Sequence, residues 1–409
     1  MKKFLTAMMI LMSLSSGGCV NAKPIDVEPP RNLSTSVDEF CWKYFATLDR
    51  NESIFFSPYG IHAALSILAN GATGDTRTEI LNVLEIDNIE NLNDCHKNFS
   101  AYVAKNYTSL AESNLLLVDK KIAGRGLDKN FKKIVTDIYK SDAREADFSG
   151  NIDGEKKKIT RWVADKTKNF IPNYNSIATA DTLVDLLNIV YFKDKWAIPF
   201  KERNTFEENF KNRDGSLKEV SMMSNIFKES IKYYADEKFK GIELPYTSNA
   251  AMYLILPVDD DALNVAELWN EETFSYRADF LNGLKNSYPF DGEVVVHLPK
   301  LELESKNNLV KNFMAMGINK AFSDYAEFFN IVKDTSLKIN NAQHCAKLKV
   351  DEQGTEAAAV TEITMIETTA MPNPRSIERV YFIAERPYLL LIRDIKSSVT
   401  LFAGVVNRL

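Results

Sequence analysis

The chain has 409 residues, 45% hydrophobic and 26% charged, with a formal net charge of −6. That is enough apolar material for one large mixed domain or for two to three average ones. The mildly acidic balance argues against nucleic acid as the main partner, because phosphate binding needs a basic face.

The first 22 residues read as a leader. Lys2-Lys3 precede the apolar stretch Phe4 to Leu14, which is too short to span a membrane and marks an exported protein. Two exits compete. Val20-Asn21-Ala22 has the small-residue spacing for ordinary cleavage after Ala22, giving a secreted protein. Gly17-Gly18-Cys19 resembles a bacterial lipoprotein site at which Cys19 becomes the lipidated, membrane-attached terminus. Ser16 stands where that motif usually has Leu, yet a Cys directly after two glycines has no other evident purpose in a leader, and lipidation is the favoured exit. Residues 23–35, with Pro24, Pro29 and Pro30, read as a flexible tether.

Residues 36–409 contain no linker, repeat or low-complexity tract and read as a single domain. Helical periods run over 37–48, 59–70, 76–84, 128–139 and 154–168, with Pro58 suited to a helix's first turn. Strand patterns run over 115–118, 183–192, 252–256, 293–298, 344–350, 380–384, 388–394 and 400–406. Helices early and strands late predict an α+β domain. Lys120, Lys121, Arg125, Lys129, Lys132 and Lys133 form a local basic run that reads first as a solvated face. Cys41, Cys95 and Cys345 are odd in number, have no zinc spacing, and read as buried thiols.

The stretch 350–366 has a strand's period and a hinge's composition. From Thr355 one alternating set is Thr355, Ala357, Ala359, Thr361, Ile363 and Met365, uncharged and fit to face a core. The other set carries Glu356 and Glu362, as a solvent face does. Gly354 and three alanines are poor strand formers, so the segment is a loop able to become a strand.

Glu352-Gln353-Gly354-Thr355-Glu356-Ala357-Ala358-Ala359 resembles the hinge of an inhibitory serpin. Other motifs fall in that family's order: Phe55-Phe56-Ser57-Pro58, Gly71-Ala72-Thr73-Gly74-Asp75-Thr76, Asn188 to Trp196 with Pro199-Phe200, Glu243-Leu244-Pro245-Tyr246, Leu298-Pro299-Lys300, and Arg386-Pro387-Tyr388 through Asn407. The resemblance implies a serpin fold of three β-sheets with eight or nine helices and a reactive loop over about 354–379. It implies a monomeric suicide inhibitor, not an enzyme, that needs no cofactor or metal and whose partners are extracellular serine proteases, with cysteine proteases also open. The family's spacing from the hinge glycine puts the reactive bond at Thr368–Thr369. The loop is several residues longer than usual, and Met365, Ile366, Met371 and Arg375 are alternative bait residues. Thr368 with Ile366 and Met365 suits elastase-like enzymes. The resemblance further matches Ser57, Asn188 and His344 to a polar shutter, with Gly60 where many members have a second serine. Trp196, Lys300 and Glu352 match residues at the top of the main sheet, where insertion begins. Some members bind polyanions near the helix corresponding to the basic run. The alternative is a non-inhibitory surface binding protein of the same fold. With four histidines and no nucleophile elbow, metal spacing or phosphate loop, the residues themselves give no support to an enzyme.

Overall fold

The computed structural model describes residues 31–108, 110–124, 126–259, 265, 274–335, 337–355 and 377–409. Nine α-helices occur among them: α1 (Arg31–Ala46), α2 (Pro58–Gly71), α3 (Gly74–Val83), α4 (Ile89–Asn106), α5 (Lys120–Ala123), α6 (Lys129–Asp137), α7 (Phe148–Lys166), α8 (Phe274–Asn286) and α9 (Val310–Ala315). The strands are β1 (Ile54–Phe56), β2 (Leu110–Asp119), β3 (Asp142–Ala146), β4 (Val184–Phe192), β5 (Asp194–Lys195), β6 (Phe206–Lys211), β7 (Leu217–Lys228), β8 (Lys232–Ala235), β9 (Phe239–Pro245), β10 (Ala250–Pro257), β11 (Glu293–Pro299), β12 (Leu301–Asn308), β13 (Asn341–Asp351), β14 (Gly354–Thr355), β15 (Arg379–Ile383), β16 (Tyr388–Asp394) and β17 (Thr400–Val406).

They form three sheets. One runs β1-β17-β16-β10-β9-β8, a second β15-β11-β7-β6, and the main sheet holds β3, β2, β4, β13, β14 and β5 with β12 outside β13. Every residue of α2 is buried, the sign of a helix enclosed on all sides. Its start is fixed by Ser57, whose side chain accepts from the Gly60 amide, and by Pro58 in the first turn. Every residue of β4 is buried too. Leu186 packs in the core that contains α2, while Leu187 and Ile189 pack with Phe148, Ile159, Trp162 and Val163 of α7. A strand covered on both faces reads as an unbroken apolar run, which is why 183–192 stands out in the sequence.

The sequence reading missed α4, α5, α8, α9 and several strands, and α1 begins at Arg31, inside the expected 23–35 tether, because Leu33 is already buried. In α4 the buried residues Leu92, Cys95, His96, Phe99 and Tyr102 do recur at helical spacing, but Asn93, Asp94, Lys97 and Asn98 between them dilute the period. β6 and the first half of β7 are largely exposed, so burial imposes no apolar alternation there. β2 extends well beyond the expected 115–118, because its first residues are only half-buried. Helices and strands are also less segregated than expected, since α8 and α9 fall among the late strands. Cys41, Cys95 and Cys345 are buried free thiols.

Candidate functional site

The main sheet forks between β4 and β13. These parallel strands pair from Asn341↔Asp185 to Ala346↔Val190, and there the ladder stops. Above it β14 fills the gap, with Val350↔Thr355 and Asp351↔Gly354 on one side and Gly354↔Lys195 and Thr355↔Asp194 on the other. A strand of two residues therefore already sits between the diverging edges.

Geometry dictates the residue at the tip. Gly354 has φ +150°, and a Cβ there would meet the Asp194 carbonyl oxygen at 2.1 Å, so only glycine fits. Thr355 is 1% exposed, and its hydroxyl lies 2.7 Å from the Tyr246 hydroxyl. Tyr246 stacks on Trp196 with ring centroids 4.5 Å apart. Trp196 Nε1 donates to the Asp351 carbonyl at 3.0 Å, and its amide donates to that of Gln353 at 2.9 Å. Glu352 is held by Lys300 Nζ at 2.9 Å and by the Thr205 hydroxyl at 2.8 Å. Burial would raise its carboxyl, but the hydrogen bonds from Lys300 and Thr205 outweigh that and keep it below the usual range. The turn between β13 and β14 is thus pinned as an anion.

Lower in the seam, residues distant in sequence meet in one chain of hydrogen bonds. The Ser57 amide donates to His344 Nε2 at 3.0 Å, and His344 Nδ1 lies 2.7 Å from Asn188 Oδ1. Because Nε2 accepts, the proton must be on Nδ1, which donates to Asn188, so the ring is neutral. Burial agrees, pushing its pKa down to about 3. Asn188 Nδ2 donates to Asn114 Oδ1 at 2.8 Å and to Glu112 Oε1 at 3.2 Å. The Ser57 hydroxyl donates to the Leu401 carbonyl at 2.6 Å. Gly60 has no room for a serine: a Cβ would stand 2.3 Å from Val190 Cγ2 and 2.7 Å from Asn188 Oδ1.

The sequence reading did not single out Asn114, Glu112, Tyr246 or Thr205 as site residues. Tyr246 stood within a recognised motif and was the one with a usable signal. Cys19, Glu356, Ala357, Ala358, Ala359, Met365, Ile366, Thr368, Thr369, Met371 and Arg375 lie outside the described residues.

Glu112 provides a pH test of the cluster. Burial pushes its carboxyl up to about 8, against which the bond from Asn114 works. Between the ordinary carboxylate range and about pH 8 the folded chain keeps a proton that the unfolded chain releases, so stability falls as pH rises. Each unit of raised pKa is worth about 1.4 kcal/mol. Glu112→Gln keeps the acceptor oxygen and removes the titration. It should therefore gain stability over wild type steadily from pH 4.5 to 8 in chemical denaturation, and parallel profiles would exclude a protonated Glu112.

Residues 35–409 match the family model described as "Serpin (serine protease inhibitor)". The leukocyte elastase inhibitor of Xenopus laevis is 30% identical over 386 residues, covering 91% of this chain and 98% of that protein. The native structure of the thermophilic serpin tengpin superposes with a TM-score of 0.79 at 25% identity, covering 95% of this chain and 96% of that one. Human thyroxine-binding globulin complexed with thyroxine gives a TM-score of 0.78 at 25% identity, covering 92% and 98%.

Proposed function

The chain belongs to the serpin family, and from that premise we propose that it is a suicide inhibitor of extracellular proteases. It traps the acyl-enzyme by inserting its cleaved loop between β4 and β13. The observation that carries the reading is the fork, with Gly354 and Thr355 already seated as the first rungs of a strand in a gap bounded by two edges.

The chemistry belongs to the protease. Its nucleophile attacks a loop carbonyl, expels the following amine and forms an acyl-enzyme. The freed upstream arm then continues the ladder begun at Gly354↔Lys195 and Thr355↔Asp194, pairing its backbone on both sides. Ala357, Ala359, Ile363 and Met365 follow Thr355 onto the inner face. Some fourteen residues at about 3.3 Å each carry the tethered enzyme roughly 46 Å along the sheet. Inhibition requires that this journey outrun deacylation. Small uncharged residues at the leading positions serve that race, because burying an unpaired charge costs several kcal/mol.

The favoured bond is Thr368–Thr369 and the favoured targets are elastase-like or broad serine proteases, with cysteine proteases within reach because a thioester is trapped in the same way. A bond at Arg375 would leave slack after insertion and let the enzyme escape. The chain is exported, either released after Ala22 or anchored through a lipidated Cys19.

Mixing the protein with elastase, trypsin and subtilisin and running a denaturing gel tests the proposal. A band at the summed mass of inhibitor and protease is expected with elastase. The rival reading, a non-inhibitory surface binding protein, gains from the fold's likeness to a globulin that binds thyroxine. It predicts cleavage without such a band for every protease tried.

A further inference from the structure

The face of the seam turned toward α7 carries a second polar chain. Along β4, Asp185 shares the side of Leu187 and Ile189, which pack under α7, while Leu186 and Asn188 point the other way. Gln343 Nε2 donates to Asp185 Oδ1 at 2.9 Å, and the Tyr174 hydroxyl donates to Gln343 Oε1 at 2.5 Å. Asp185, Gln343 and Tyr174 are 1%, 6% and 3% exposed. Tyr174 follows α7 in the chain and is tied back to it, since the Thr160 hydroxyl donates to its carbonyl at 2.7 Å. The cluster thus joins the covering helix to both strands that border the seam.

We propose that Tyr174, Gln343 and Asp185 form a second latch across the seam, which holds the lower half of the main sheet closed beneath α7 and must release before a strand can enter there. The latch has its purpose in the inhibitory reading and rests on it to that extent. Gln343 sits opposite Leu187 but bonds to Asp185, two residues away, so its side chain draws adjacent rungs together. The Gln343 amide does both at once, accepting from the phenol through its oxygen and donating to the carboxyl through its nitrogen. Paired strands lie about 4.8 Å apart, and a strand between them doubles that separation to roughly 9.6 Å, more than this bond spans. A strand growing down from Thr355 passes the His344–Asn188 pair first and Gln343–Asp185 next. The two latches lie on opposite faces of the same strands and are met in turn.

Breaking one partner leaves buried polar groups unpaired, which favours local opening. Hydrogen–deuterium exchange of the intact protein, read by fragment mass spectrometry, tests this without any protease. Gln343→Leu and Tyr174→Phe should exchange the amides of 184–190 and 341–346 at least tenfold faster than wild type, with β1 and β17 unchanged. Asp185→Asn keeps the acceptor oxygen and should stay within twofold of wild type. Burial already pushes the Asp185 carboxyl up to about 7, so Asn closely mimics its uncharged form. Tyr174→Phe deletes one hydroxyl and keeps the test readable if Gln343→Leu does not fold. Exchange within threefold of wild type in the folded latch variants, or acceleration spread evenly over the domain, overturns the latch. A wild-type protein that traps elastase while its latch variants exchange normally removes the latch alone. A protein that traps no protease but shows the local acceleration removes the inhibitory reading and leaves the latch standing.

Discussion

Cutting the loop anywhere between Met365 and Arg375 should raise the melting midpoint of the protein by about 10 °C or more, the reverse of what nicking does to most folded chains. Among the described residues, the fork above Ala346↔Val190 leaves the upper edges of the main sheet occupied only by the two residues of β14. A freed arm adds some ten residues to that strand. Each newly buried large apolar side chain contributes about 1.5–3 kcal/mol, and each net backbone hydrogen bond about 0.5–1.5 kcal/mol. Their sum rivals or exceeds the roughly 5–15 kcal/mol that holds an ordinary domain together. For a domain of this size, every 10 kcal/mol gained moves the midpoint by roughly 12 °C. The experiment is a limited cut confirmed by mass spectrometry, followed by melting curves of cut and intact protein. An equal or lower midpoint would mean that the arm does not insert, and inhibition would lose its driving force.

The legibility of this site in the sequence depended on how local each feature is. Alternation along 355–365 placed Thr355 on an inward face from period alone, and its side chain is 1% exposed. The need for glycine at 354 is likewise a matter of one backbone angle and one close approach. The pairing of Ser57, His344 and Asn188 is a different kind of information. Their contacts span 287 and 156 residues of chain, and no local pattern encodes a partner that far away. They were reachable only through family resemblance, which matches motifs and carries register with them. Resemblance fails where a chain goes its own way. Gly60 stands where many members have a second serine, and the geometry adds the reason: Val190 and Asn188 fill the space that a serine would take. Asp185 and Gln343 stayed invisible for the opposite reason. Within apolar strand patterns they read as ordinary polar interruptions, and only the parallel register of β4 with β13 brings them within one bond of each other.

Thr355→Arg should convert the inhibitor into a substrate, cutting the yield of covalent complex at least tenfold while leaving cleavage intact. The wild-type threonine is enclosed by Tyr246, whose hydroxyl it meets at 2.7 Å, and by the backbone of Val350 and Asp194 on either side. Arginine brings a charge and a long side chain into that space. Asp194, paired opposite, offers little relief because it already accepts from the Thr247 hydroxyl at 2.7 Å and the Ser248 amide at 3.2 Å. A buried charge without a partner costs several kcal/mol, and each 1.4 kcal/mol slows a step about tenfold when it falls on the barrier. The variant would therefore keep residues 354 and 355 out of the fork, so that insertion begins without its first rungs and must bury the arginine before anything else. Deacylation of the protease, which none of these residues touch, proceeds at its usual pace and wins. Tyr246→Phe is the graded control: it removes one hydrogen bond, worth about 1 kcal/mol, and should lower complex yield only slightly. Densitometry of complex against cleaved inhibitor, at fixed elastase and across both variants, reads the partition directly. Unchanged complex yield with Thr355→Arg would show that the strand does not grow from β14, and the register proposed for insertion would fall with it.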